Sequence, residues 1–165
     1  MTKEEFAQME RAQQRIWKEL AENGEDAKPD AVYIPFSYGC PACTIADCAY
    51  NKINIDKGQC NFCPVTMWRE STEPNPSCQG RYDEIDCFTG TLEDISKLPV
   101  YGQWVVLVES YSNVTDCTED KLIEERKKVA LEISKLEFYW LAEYEEVELS
   151  QKIKDYLKGE EEYGC

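Results

Sequence analysis

The sequence predicts a mainly α fold, a helical bundle with a long C-terminal helix, carrying an irregular, knuckle- or ribbon-like cysteine-rich insertion. Three observations carry that expectation. Large apolar residues recur at three- and four-residue steps near the N-terminus and again across residues 118–158, the spacing that lines one face of a helix. Residues 118–158 contain neither Gly nor Pro. Between these regions lie two Cys-x-x-Cys motifs in a stretch poor in large apolar side chains. A chain of 165 residues fits one domain. It divides into an N-terminal helix (1–23), a cysteine segment (37–88) and a helical region (91–158).

Residues 3–22 read as the first helix. Thr2 and Glu5 have the spacing of a capping box, and Phe6, Met9, Gln13, Ile16, Trp17 and Leu20 form one face that packs on the rest of the chain. Asn23-Gly24 is a stop signal. Residues 24–31 form a polar linker broken at Lys28-Pro29, and Val32–Phe36 is extended because Pro35 steers Ile34 away from helix. Glu70 to Ser77 contains Pro74 and Pro76 and reads as an exposed loop. Thr91 to Leu98 reads as a helical turn with Thr91 and Asp94 as its cap. Pro99 can open a further helix that aligns Val100, Trp104, Leu107, Val108 and Tyr111, although Trp104–Val108 also suits a strand. In the last segment Leu122, Arg126, Val129, Ile133, Leu136, Trp140, Glu143 and Val147 form a heptad-like seam with two polar interruptions, stopping at Lys158-Gly159. A continuous helix there would span about 60 Å. It must pack along the other helices, break, or pair with a second copy; the seam suits a homodimer and intrachain packing equally.

The motifs Cys40-Pro41-Ala42-Cys43 and Cys60-Asn61-Phe62-Cys63 have the spacing of a tetrahedral zinc site. Four thiolates close the coordination sphere, so the ion, Zn2+, is structural rather than catalytic. An iron–sulfur cluster uses the same ligand type, and a single knuckle can also be a tight turn with buried thiols. Cys78 is an alternative ligand, and Cys48, Cys78 and Cys87 with one knuckle cysteine could make a second site. Cys117 and Cys165 stand apart. With so little apolar bulk in residues 37–88, chelation is expected to unfold this segment and to leave much of the helical signal.

Eighteen basic and thirty-three acidic residues give a net charge of −15, and there is no histidine. The acidic field repels phosphate backbones and anionic lipid. Absence of histidine removes His-containing zinc sites and the Ser-His and Cys-His pairs. No phosphate loop, nucleophile elbow or dinucleotide glycine pattern is present, so the chain reads as a non-enzyme. No secretory h-region or apolar run of ~20 residues is seen, so nine cysteines point to a reducing cytoplasm and thiolate–metal bonds. The charge is uneven. Glu70, Glu73, Asp83, Glu84, Asp86, Glu93 and Asp94 face Arg81 alone in residues 70–94, and Glu137, Glu143, Glu145, Glu146 and Glu148 have no basic residue among them.

The run from Cys40 through Cys60-Asn61-Phe62-Cys63-Pro64-Val65 and Cys78-Gln79-Gly80, then Tyr101-Gly102-Gln103-Trp104 and an acidic helix, resembles a group of small cysteine-rich bacteriophage proteins of unassigned function. The resemblance covers roughly residues 40–142. It implies phage origin, zinc binding and the cytoplasm of an infected bacterium. The chain differs from that group in the longer spacing between knuckles, in Cys48 and Cys87, in the Pro-rich insert and in its acidic C-terminus. Together with the charge this favours an acidic, zinc-stabilised binding protein that inhibits a host nucleic-acid-handling or defence protein as a DNA mimic, in the manner of an anti-CRISPR protein. The contact residues would be Glu143, Glu145, Glu146 and Glu148, then Asp83, Glu84 and Asp86, with Trp68 and Tyr82 as aromatic contacts. The alternative is a zinc-ribbon-like nucleic-acid-binding or transcription accessory protein, for which Lys52, Lys57 and Arg69 are the only cations in residues 29–69.

Overall fold

A computed structural model describes residues 1–24, 35–53, 58–65 and 85–163. Among these it is mainly helical: α1 (Lys3–Asn23), α2 (Pro41–Ile53), α3 (Leu92–Ile95), α4 (Val100–Glu109), α5 (Glu119–Ile133) and α6 (Gln151–Tyr163). Short 3-10 turns cover Ser37–Gly39, Gln59–Phe62, Tyr111–Asn113 and Ala142–Glu146. No described helix is long and apolar enough to cross a membrane. The linker from residue 25 to Ile34 and the loop from Glu70 to Ser77 lie outside the described residues.

Helix α1 is the spine, packing against α5, α2 and α6. It begins where the sequence indicates: Glu5 N–H donates to Thr2 Oγ1 at 3.0 Å while Thr2 N–H donates to Glu5 Oε2 at 2.8 Å, satisfying two otherwise unpaired donors. It ends at Gly24, whose φ of 68° is left-handed and whose N–H reaches the Leu20 carbonyl at 2.8 Å. The face from Phe6 to Leu20, with Gln13 among its members, is buried.

Thr91 and Asp94 cap α3 reciprocally. Pro99 precedes α4, so residues 100–109 are helix rather than strand, and Tyr111 falls in the next 3-10 turn and is exposed. Trp104, Val105, Val106 and Leu107 are all buried. A helix apolar on so many sides belongs in a core. Trp17 of α1 packs edge-on against Trp104 at 5.0 Å and Tyr101 at 5.8 Å. Arg126, a polar interruption of the seam, is buried where α5 meets α4; its Nε donates to the Leu107 carbonyl at 3.0 Å. The guanidinium thereby serves the negative end of the α4 dipole.

The long C-terminal helix is corrected. Helix α5 stops at Ile133, and Ser134 closes it with N–H to the Ala130 carbonyl (2.9 Å) and Oγ–H to the Leu131 carbonyl (2.7 Å). From there burial alternates: Leu136 and Phe138 inward, Glu137 and Tyr139 outward, the period of an extended strand. This stretch pairs with the second cysteine motif. Val65 and Phe138 form an antiparallel bridge, Tyr139 N–H donates to the Pro64 carbonyl at 2.7 Å, and Phe138 N–H donates to the Glu10 carboxylate. Backbone pairing and ring burial here outweigh helix propensity, which is a weak preference. After the turn Ala142–Glu146, Val147 and Leu149 point inward, and Ser150 Oγ accepts from Ile153 N–H at 3.4 Å as α6 begins. Helix α6 continues past Gly159 to Tyr163. The seam residues Leu122, Val129, Ile133, Leu136 and Val147 are buried within the chain, and no single long helix remains to carry a dimer seam.

Candidate metal centre and acidic surface

The first cysteine motif does not lie in an irregular insertion. Cys40 immediately precedes α2 and Pro41 is its first residue, a position where the missing N–H costs nothing. The approach is fixed by Gly39 at φ 61° and by Thr44, whose Oγ1 accepts from Ser37 N–H at 2.8 Å and donates to the Cys40 carbonyl at 3.1 Å. Cys43 N–H points at Cys40 Sγ, 3.4 Å away. Cys40 Sγ–H donates to Oε1 of the buried Gln13 at 3.5 Å. A side-chain amide offers both donor and acceptor, so Gln13 suits the thiol or the thiolate. Ala42, Ile45, Ala46 and Ala49 bury the other face of α2, which packs against α1.

The second motif occupies the 3-10 turn Gln59–Phe62, against which α2 packs. Cys63 N–H reaches the Cys60 carbonyl at 3.2 Å, and Asn61 Nδ2 donates to the Gly58 carbonyl at 3.1 Å. Phe62, Cys63, Pro64 and Val65 are buried, whereas Cys60 is exposed. Both motifs therefore ride on touching elements. Cys40 and Cys63 are enclosed, Cys43 is half-buried and Cys60 faces outward. Among the described residues, no three Cys, Asp or Glu side chains converge as a metal-holding group; Cys78 lies outside those residues. The donor chemistry nevertheless fits zinc: soft sulfur ligands in two pairs, on packed neighbours, with one pair at a helix N-terminus.

Cys48 is half-buried on α2, and burial, with Asp47 adding to it, raises its thiol above the usual range. Cys87 is exposed. No described cluster unites the two with a third ligand. Cys117 is likewise raised by burial, then by Asp116 and Glu125, and its thiol sits 3.7 Å from the Thr118 carbonyl. Cys165 lies outside the described residues.

The candidate contact glutamates are not on a helix face. Glu143, Glu145 and Glu146 belong to the 3-10 turn Ala142–Glu146, and Glu148 follows in extended chain. Glu145, Glu146 and Glu148 are exposed and Glu143 is half-buried. The turn is anchored from below. Tyr144 is fully buried, stacks on Phe6 at 5.6 Å, meets Trp140 edge-on at 5.7 Å, and donates its OH to the Phe62 carbonyl at 2.7 Å. The α-amino group of Met1 donates to the carbonyls of Tyr144, Glu145 and Val147. The acidic turn and the second cysteine motif are thus joined by one buried phenol. Asp86 is exposed, and Asp83, Glu84, Trp68 and Tyr82 lie outside the described residues. Of the cations offered for nucleic-acid binding, Lys52 is exposed at the end of α2, and Lys57 and Arg69 lie outside the described residues.

Helix α2, the contact of Gln13 with Cys40 and the bond of Tyr144 to Phe62 were not foreseen from the sequence. Helix α2 announced itself through Pro41 and the recurrence of Ala42, Ile45, Ala46 and Ala49. Gln13 was legible as the one amide on an apolar stripe. Tyr144 carried no local signal, because its partner is eighty-two positions away. Comparison of the chain with protein-family models, with curated proteins and with solved structures finds no match.

Proposed function

We propose that this chain is a non-enzymatic binding protein of phage type. In this reading a zinc-stabilised frame holds an acidic surface that occupies the basic, nucleic-acid-binding groove of a host defence protein and inhibits it. The observation that carries the reading is the anchoring of the Ala142–Glu146 turn to the second cysteine motif through Tyr144 and the Phe62 carbonyl. Carboxylates on a turn fixed by a buried ring lose little further freedom when they meet cations, and preorganisation of that kind favours affinity. Cys40, Cys43, Cys60 and Cys63, with Cys78 as the alternative, would hold the zinc, which supplies folding free energy and no open coordination position. The net charge of −15 speeds encounter with a basic partner and makes it salt-sensitive.

The test is a nuclease-treated pull-down from host lysate, followed by binding measurements on the partner recovered. The reading expects a protein with a basic groove. Its affinity should fall steeply over a tenfold rise in salt and should fall again when Glu145, Glu146 and Glu148 are changed together to Gln. Binding indifferent to both changes would sink the mimic. Recovery of nucleic acid alone, once nuclease is omitted, would favour the zinc-ribbon-like binder.

A further inference from the structure

The opposite end of α1 presents different chemistry. Where its C-terminal half meets α5, Lys18, Ala21 and Glu22 face Lys127, Lys128 and Leu131 across a surface groove of about 320 Å³. Three of the six lining residues are lysines in a chain whose net charge is −15. The exposed floor is nonetheless mostly apolar, as when lysine stems lie along a surface and hold their ammonium groups at its rim.

The apolar character extends along α5. Ile123 and Leu131 are each 44% exposed, and they stand four residues either side of Lys127, so the three share one face over about 12 Å. The stripe is packed onto the end of α1. Gly24 has φ 68°, and a Cβ there would lie 2.8 Å from Lys127 Cε and 2.9 Å from Ile123 Cγ2. Among the described residues, Lys18 and Lys127 make no ion pair, and Lys128 has only an exposed 3.9 Å contact with Glu125.

We propose that this groove docks an acidic amphipathic segment of a partner protein. One bulky apolar side chain would sit between Ala21 and Leu131, with carboxylates on its flanks meeting Lys18, Lys127 and Lys128. The apolar floor selects the anchor and the lysine rim selects its charge. A second copy of this chain is a poor occupant, because it brings its whole charge of −15 against an equal charge, whereas a short acidic segment brings few charges and sets them against Lys18, Lys127 and Lys128. Nucleic acid has no apolar anchor to offer. The groove lies about 18 Å along α1 from the ring cluster at Phe6, so it is independent of the acidic turn and of the function proposed for it.

The test uses the full chain, immobilised and panned with a displayed library of random peptides. Enriched peptides are then measured as labelled free peptides by fluorescence anisotropy. The expected peptides carry Asp or Glu around a Leu, Phe or Trp. Their affinity should fall about tenfold or more in Leu131→Ser and in the double variant Lys18→Glu/Lys127→Glu. All three positions are exposed, so circular dichroism should find the fold intact. No enrichment, enrichment of basic peptides, or affinities unmoved by both variants would overturn the proposal. So would binding lost only when Glu145 and Glu146 are neutralised, which places the peptide at the acidic turn.

Discussion

Around Trp17, α1, α4 and α5 meet through ring edges and aliphatic side chains, with Trp104 at 5.0 Å and Tyr101 at 5.8 Å. Around Tyr144, α2, the turn Gln59–Phe62 and residues 134–149 meet through directed contacts: a phenol on the Phe62 carbonyl, a backbone pair at Pro64 and Tyr139, a sulfur against Gln13. The first region follows the 3.6-residue period read from the sequence. The second abandons it, because residues 136–139 answer to Pro64 and Val65 rather than to their own neighbours in sequence. Packing of the first kind is read from local pattern. Pairing of the second kind depends on residues that are distant in the chain.

With the proposed zinc site, metal removal is the largest perturbation that separates the regions. Structural zinc is worth on the order of ten kcal/mol at neutral pH. Low apolar bulk in residues 37–88 suggested that chelation would unfold that segment alone. The contacts of Cys40 with Gln13 on α1, and of Phe62 with Tyr144, change the expectation. Loss of metal should now propagate into the helices as one transition, seen together in far-ultraviolet dichroism and in tryptophan fluorescence. If a chelator strips the metal while the helical signal and its melting temperature stay put, the two regions are independent.

Single substitutions sharpen the contrast. Trp17→Ala removes a side chain that is 1% exposed and should cost about 3–5 kcal/mol in denaturant unfolding. Tyr144→Phe keeps the ring and deletes only the hydroxyl that serves the Phe62 carbonyl, at about 1–3 kcal/mol. The smaller change should have the more local consequence. In metal-loaded protein, Tyr144→Phe should speed zinc loss to a colorimetric chelator, and Trp17→Ala, compared at equal stability, should not. Equal acceleration by both would mean that the phenol has no particular hold on the cysteine motif.

The helical half was largely legible. The Thr2–Glu5 and Thr91–Asp94 boxes, the Gly24 stop and the buried face of α1 all stand where spacing placed them. Pro99 decided for helix at residues 100–109, where β-propensity left the matter open. The seam misled over residues 134–149 because Leu136, Trp140, Glu143 and Val147 keep a heptad count, while Leu136, Phe138, Tyr144 and Val147 equally fit the alternation and turn that the chain adopts. Only the pairing with Val65, seventy-three positions earlier, separates these readings. Ser134 and Ser150 mark the two helix ends and were the available local clues. At the cysteines, the structure sets both motifs on touching elements, and spacing did not show that Cys40 would stand at the mouth of a helix or that Gln13 would reach its sulfur.

The smallest effect is electrostatic and belongs to the helical half. The Thr91 backbone N–H, then the Thr91 hydroxyl and the Lys97 ammonium, hold the Asp94 carboxyl below its ordinary value. A carboxyl depressed in the folded state contributes stability that is fully present above its unfolded value, near about 4, and is lost as pH falls through the folded one. At Glu5 burial pushes the other way, but the Thr2 N–H and Lys154 prevail and the shift is again downward. Asp94→Asn keeps an acceptor for Thr91 and removes the charge. The melting temperature of the wild type should therefore exceed that of the variant at pH 7, and the gap should narrow below pH of about 4. Because every other acid-sensitive contact is common to both proteins, the difference between them isolates the cap. A gap that stays constant into acid would assign the stabilisation to the shape of the side chain rather than to its charge.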